Sequence, residues 1–428
     1  MKRINLPALL TASIISLFVF NANLAATDVD SDYRRAIIKP SLVRLQPRQQ
    51  QKFRIVMLPR YLRPASLAKN VKWSVNDIPG GNKKLGTIDA DGLYEAPAKT
   101  PTPYEIHICA EVEGSNNRYL WATVLMGNPD PPYKLVHTWS EPVDSPTYFE
   151  KPHGVGFDKD GNILIADQDN SRVMRFTPQG KYLADIGSAK GNKPGTFTEP
   201  RVVITDASGN IWVSDSKADE PRIQVFSPDG KFIRWFAHKG VLPGQLLRTH
   251  GMDFDSKQRL FAVDVDNFRV NVYSHSGEFL YSWGKPGLKT GTFNAPHGLI
   301  VDPSDDVFVS NFYGPSQKFD PNGNLLFAFA YPDPPDGSIG CHSIAADRWG
   351  NVYMTVHTME DIAEKPQAAG TRKRNHILKY NNNGDYITAW SLAEPDQYAM
   401  WFAVDDDGTV YCLFLSQKQV GVQVFTPQ

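Results

Sequence analysis

Six segments of this chain open on the same short pattern, written in the first as Pro152-His153-Gly154-Val155, with an aspartate, a glycine and an asparagine before the next apolar run. The aligned positions are His153, Arg201, His250, His297, His342 and Trp401, at spacings of 48, 49, 47, 45 and 59 residues. A period in this range marks a repeat architecture, in which each unit is one supersecondary element stacked on its neighbours. Only 10 of the 428 residues are histidine, yet four of the six aligned positions carry one, so the fold is expected to gather imidazoles at one point.

Within the first repeat the apolar alternation divides into four short strands, at 154–157, 162–166, 172–176 and 181–186, separated by turns rich in Asp, Gly, Asn and Pro. Four antiparallel strands at this period predict a propeller blade. The last repeat stops after its third strand at 422–425, and a lone strand, Lys134 to Trp139, precedes the first repeat. Added to the last repeat, that strand closes a ring of six blades and removes an exposed edge. The fold class expected is all-β, a six-bladed propeller over 134–428 whose sixth blade is closed by the strand at 134–140.

The N-terminal part reads differently. Met1-Lys2-Arg3, an apolar run from Leu6 to Phe20 and small residues up to Ala25-Ala26 read as a secretory signal peptide over 1–26. The mature chain is therefore expected outside the cytoplasm, periplasmic or secreted, with no membrane span of its own. Short alternating runs over 30–127 predict a small β-sandwich, and the Pro-rich stretch 128–133 reads as a stiff linker. Three cysteines, Cys109, Cys341 and Cys412, allow at most one disulfide and read as small buried hydrophobes, although Cys341 beside His342 would also suit a thiolate ligand. A formal net charge of −1 offers no general attraction to nucleic acid.

Residues just before an innermost strand line a propeller's channel mouth. Alternate blades of a six-bladed ring stand about 120° apart, so His153, His250 and His342 can converge on one ion. Three neutral imidazoles with one open position suit catalytic zinc, with calcium as the alternative cation. Arg201, His297 and Tyr313 are the candidates for orienting a carboxylate or moving a proton, while Arg201 paired with Asp215 is the plain structural alternative. Asp167, Asp169, Asp215, Asp264, Asp266, Asn311 and His357 are expected just outside the ring. The charged loop 358–374 on the same face reads as a lid or as solvated decoration.

Three resemblances add to this. Val71-Lys72-Trp73-Ser74-Val75-Asn76 followed by Gly86-Thr87-Ile88-Asp89 and Gly92-Leu93-Tyr94-Glu95-Ala96-Pro97 resembles a bacterial immunoglobulin-like domain, which implies Trp73 and Tyr94 as core anchors and a possible role in attaching a protein or cell-surface partner. The repeats, as in Ile211-Trp212-Val213-Ser214-Asp215 and Arg222-Ile223-Gln224-Val225-Phe226, resemble the NHL family. The P-H-G, T-H-G and C-H-S elements at His153, His250 and His342, with Leu242-Pro243-Gly244-Gln245, look like the propeller of peptidyl-α-hydroxyglycine α-amidating lyase. That resemblance implies a zinc triad at these three histidines and a carbon–nitrogen lyase acting on a small or peptide-derived substrate. The chain departs from the lyase pattern at Lys217, where the family has a tyrosine, at Ser343, where it has an acidic residue, and at 414–417, where it has a guanidinium. A non-catalytic propeller that binds a peptide, glycan or protein is the alternative function.

Overall fold

The computed structural model describes residues 35–58, 66–67, 71–112, 119–127, 133–140, 148–187, 190–216, 220–329, 340–357, 376–394, 397–416 and 419–428. The expected signal segment, positions 128–132 of the linker, Lys217 and the loop 358–374 lie outside the described residues. Every regular element among the described residues is a strand.

From Tyr133 onward the strands form six four-stranded antiparallel sheets. The first runs Pro152–Phe157, Ile163–Asp167, Arg172–Phe176 and Tyr182–Ile186, from the inside outward. The innermost strands of the others are Pro200–Thr205, Thr249–Phe254, Pro296–Val301, Gly340–Ala346 and Tyr398–Val404. Each inner strand contacts the next, and the sixth contacts the first, so the sheets form a closed ring around a channel. The sixth sheet takes its outermost strand, Tyr133–Ser140, from before the first, paired antiparallel to Val420–Pro427. This is an all-β propeller.

Side-chain alternation explains why the second strands of the first four sheets are buried throughout and mostly apolar. Ile163 and Ile165 pack towards the sixth sheet, whereas Leu164 and Ala166 pack towards the second. Each strand residue points to the opposite face from its neighbour, and here both faces are covered. Every interface between adjacent sheets has its own apolar cluster, so the core is a wheel of six clusters rather than one mass. The outer strands carry the polar alternation, as in Tyr182–Ile186, where all but Ile186 are exposed or half-buried.

Residues before the ring form three small sheets around a single core that includes the buried Trp73 and Tyr94. Most pairings are antiparallel, but Leu42–Leu45 runs parallel to Tyr119–Met126. This N-terminal part docks on the fourth and fifth sheets at the end of the ring away from the repeated histidines. Arg35 pairs with Asp306 at 2.7 Å, and His107 stacks on Trp349 at 4.5 Å between ring centroids. Glu105 accepts from the Lys379 ammonium at 2.6 Å and from Asn351 at 3.0 Å, all three buried.

Candidate functional site

Each inner strand slips out of register once, and the slip decides where the histidines go. Thr249 pairs with Asp264 and Gly251 with Val263, which leaves His250 as the extra residue of a β-bulge. Arg201 is left out likewise between Pro200 and Val202. The irregularity spans His153 with Gly154, His297 with Gly298, and His342 with Ser343 in the first, fourth and fifth sheets. A bulged residue leaves the ladder and its side chain is re-aimed. In the sixth sheet the bulged residue is Met400, between Ala399 and Trp401. Met400, not Trp401, is therefore the equivalent of the histidines. The sequence held this signal: Asp158 stands five positions after His153, and Asp405 five positions after Met400.

The glycines after the histidines are required by the close approach of the neighbouring strand. A Cβ on Gly154 would lie 2.3 Å from the Arg201 carbonyl oxygen, and one on Gly251 would lie 2.3 Å from the Leu299 nitrogen. No side chain fits at such distances.

The bulges bring four imidazoles together. Ring centroids lie 5.0 Å apart for His153 and His250, 5.9 Å for His153 and His342, 4.2 Å for His250 and His297, and 4.5 Å for His297 and His342. Imidazoles sharing one tetrahedral ion through Nε2 would have centroids about 5 Å apart. The Trp401 ring closes one side, 4.7 Å from His153 and 5.3 Å from His342, and Phe312 closes another, 5.7 Å from His297.

Hydrogen bonds assign the tautomers. His153 Nδ1 lies 3.2 Å from the Arg201 carbonyl oxygen, His297 Nδ1 lies 3.0 Å from that of His342, and His342 Nδ1 lies 2.8 Å from that of Met400. A carbonyl only accepts, so each Nδ1 carries the proton. His250 differs: Arg201 Nη1 lies 3.1 Å from its Nε2, and its Nδ1 lies 2.6 Å from His297 Nε2. A guanidinium only donates, so His250 also carries its proton on Nδ1 and gives it to His297. Burial, reinforced by neighbouring imidazoles and, for His153 and His250, by Arg201, holds His153, His250 and His297 well below the ordinary imidazole pKa, so they are neutral at pH 7.

Among the described residues no three His, Cys, Asp or Glu side chains stand as a ready-made metal cage. The donor chemistry nevertheless fits an imidazole-bound cation: His153 and His250 are neutral, and Nδ1 of His153 and of His342 is anchored on a carbonyl as metal-binding histidines anchor it, which leaves Nε2 for the ion. His250 is the residue that must change, by releasing Arg201.

The other expected site residues divide. Arg201 reaches the ring, but its carboxylate partner is Glu199 at 3.4 Å; Asp215 is taken by Arg222 and by the backbone and hydroxyl of Thr198. Tyr313 is 41% exposed and packs on Phe312, which is the aromatic ring actually against the histidines. Asp167, Asp264 and Asn311 accept from backbone N–H groups of the segment entering their own sheet, Glu150, Leu247 and Asn294, and so serve the fold. Asp169 and Asp266 pair with Lys151 and Arg248. His357 ends its strand opposite Gly340. All three cysteines are free and buried, and burial pushes the Cys341 thiol up to about 12, so it is no thiolate.

A model of the NHL repeat matches residues 149–176. The match covers the first three strands of the first sheet. Protein brain tumor of Drosophila melanogaster is 28% identical over 119 residues, 27% of this chain and 11% of that protein. The "probable peptidyl-alpha-hydroxyglycine alpha-amidating lyase" pgal-1 of Caenorhabditis elegans is 32% identical over 99 residues, 22% of this chain and 28% of that protein. In both cases the likeness spans less than a third of the relative's length. A structural genomics protein of unknown function from Bacteroides thetaiotaomicron shares the fold, with a TM-score of 0.52 at 11% identity over 92% of this chain and 99% of that one.

Proposed function

We propose that the imidazole ring binds a divalent cation, zinc in preference to calcium, through Nε2 of His153, His250 and His342, and that the chain is an exported carbon–nitrogen lyase. The substrate class is an α-hydroxyglycine or related carbinolamide, by similarity to the amidating-lyase relative. The observation that supports this reading is the common orientation: His153 and His342 donate Nδ1–H to carbonyls and His250 donates it to His297, so all three turn Nε2 the same way, and imidazole suits zinc where calcium requires oxygen ligands. The bound cation supplies Lewis-acid polarisation of a substrate oxygen. Arg201, once free of His250, is placed to orient a substrate carboxylate. Trp401 and Phe312 form apolar walls that exclude water from the reacting end. Export rests on the N-terminal sequence pattern.

Elemental analysis of purified protein tests the metal directly. Wild type is expected to carry about one zinc per chain, and His153→Ala and His342→Ala to carry at least tenfold less. Turnover is read as release of glyoxylate from an N-acyl α-hydroxyglycine. Full zinc occupancy with no turnover would assign the protein instead to ligand binding. The exposed Tyr313 and the buried hydroxyl of Ser343 in place of the family's acid favour that second reading.

A further inference from the structure

Four imidazoles meet at the channel mouth, but they are not equivalent. His153, His297 and His342 each donate Nδ1–H to the carbonyl of the residue at the aligned position in the next sheet: Arg201, His342 and Met400. By that pattern His250 would donate to the carbonyl of His297. It donates instead to the His297 ring, Nδ1 to Nε2 at 2.6 Å. The bonds form a chain in one direction, from Arg201 Nη1 to His250 Nε2, from His250 Nδ1 to His297 Nε2, and from His297 Nδ1 to the His342 carbonyl. Both ends force the direction, since a guanidinium cannot accept and a carbonyl cannot donate.

We infer that His297 is the positioning residue of His250: it spends its only lone pair on the His250 N–H, and so fixes that ring's tautomer and heading. The inference rests on the proposed metal role of His250 for its consequence, though not for its geometry. His297 Nε2 cannot hold this bond and a cation at once. The bond therefore explains why three imidazoles of the four serve as ligands, and why the excluded one lies in the fourth sheet. It also removes His297 from the acid/base role that its place in the sequence suggests. The acceptor is what matters, so a side chain with an oxygen at the same place would substitute for the imidazole.

Two variants of the full chain separate this from a plain packing role: His297→Gln, which keeps an acceptor, and His297→Leu, which does not. Nitrogen-15 NMR of the metal-free protein reads the His250 tautomer. The Nδ1–H form is expected in wild type and His297→Gln, with mixed tautomers in His297→Leu. Zinc affinity by chelator competition is expected within about threefold of wild type for His297→Gln and ten- to a hundredfold weaker for His297→Leu. Equal loss in both variants would make His297 itself a ligand and overturn the inference, as would wild-type affinity and tautomer in both. Should wild type bind no zinc, the metal reading falls, and the NMR comparison alone still decides whether His297 orients His250. Should His297→Leu fail to fold, His297→Gln decides: loss of the Nδ1–H form there overturns the inference, and its retention supports it.

Discussion

At Gly154 a single methyl group would press on the carbonyl that anchors His153. The Cβ of an alanine there would lie 2.3 Å from the Arg201 oxygen, the same atom that accepts from His153 Nδ1. Gly154→Ala is expected to lower stability by about 1–3 kcal/mol through overpacking, seen as a lower urea midpoint, and to weaken the proposed zinc binding as well. Gly161→Ala is the control, with open space around it and only a left-handed backbone, φ 78°, to strain. It should cost about 1 kcal/mol and leave zinc binding alone; equal effects on metal at both sites would remove the steric explanation. At this scale the sequence is informative where a backbone approach dictates the residue, because a glycine after a repeated histidine is a visible mark. It misplaces what depends on side-chain reach. That Arg201 lies beside the imidazoles was legible, but not its turn towards Glu199 and His250, and Phe312 was hidden behind its more polar neighbour Tyr313.

The inner strand of the fifth sheet joins the site to the N-terminal part. It carries His342 near one end and runs into Asp347, which accepts from the Tyr353 hydroxyl at 2.9 Å and lies 4.0 Å from the Lys379 ammonium. Lys379 is answered across the interface by Glu105 at 2.6 Å, with side-chain exposures of 3% and 6%. Burial alone would depress its pKa, but Glu105, Tyr133 and Asp347 together raise it above the ordinary ammonium range, so Lys379 keeps its charge. Removing one partner of a buried pair strands the other charge. Glu105→Ala is expected to cost about 3–5 kcal/mol, whereas the apolar pair Glu105→Leu with Lys379→Met should recover most of that loss. Thermal melts followed by circular dichroism would measure both, and a single variant as stable as wild type would show that Glu105 does not compensate Lys379. Nothing in the sequence joins Glu105 to Lys379. The two residues stand far apart in the chain, and a lone glutamate in an alternating strand reads as solvent-facing.

For the molecule as a whole, the period was legible because each four-stranded unit must bury two faces against its neighbours, which keeps the same apolar alternation in every repeat. The ring has one seam, where Tyr133–Ser140 completes the last sheet against Val420–Pro427. That last strand is buried along its first six residues, with burial falling off only at Thr426 and Pro427. Trp139 locks the seam: it is 8% exposed, its ring lies 5.1 Å from Phe176 in the first sheet, and Gly180 leaves no room for a Cβ against it. A chain beginning after residue 140 would leave Val420–Pro427 as a flat apolar edge with unpaired backbone groups, which invites pairing between molecules. Such a truncation is expected to associate at micromolar concentration, read by light scattering. A synthetic peptide spanning 133–140 should return it towards the monomer, while the same peptide with Trp139→Ala should do so at least tenfold less effectively. A truncated chain that stays monomeric without peptide would mean that packing between sheets, rather than the strand exchanged across the seam, holds the ring shut.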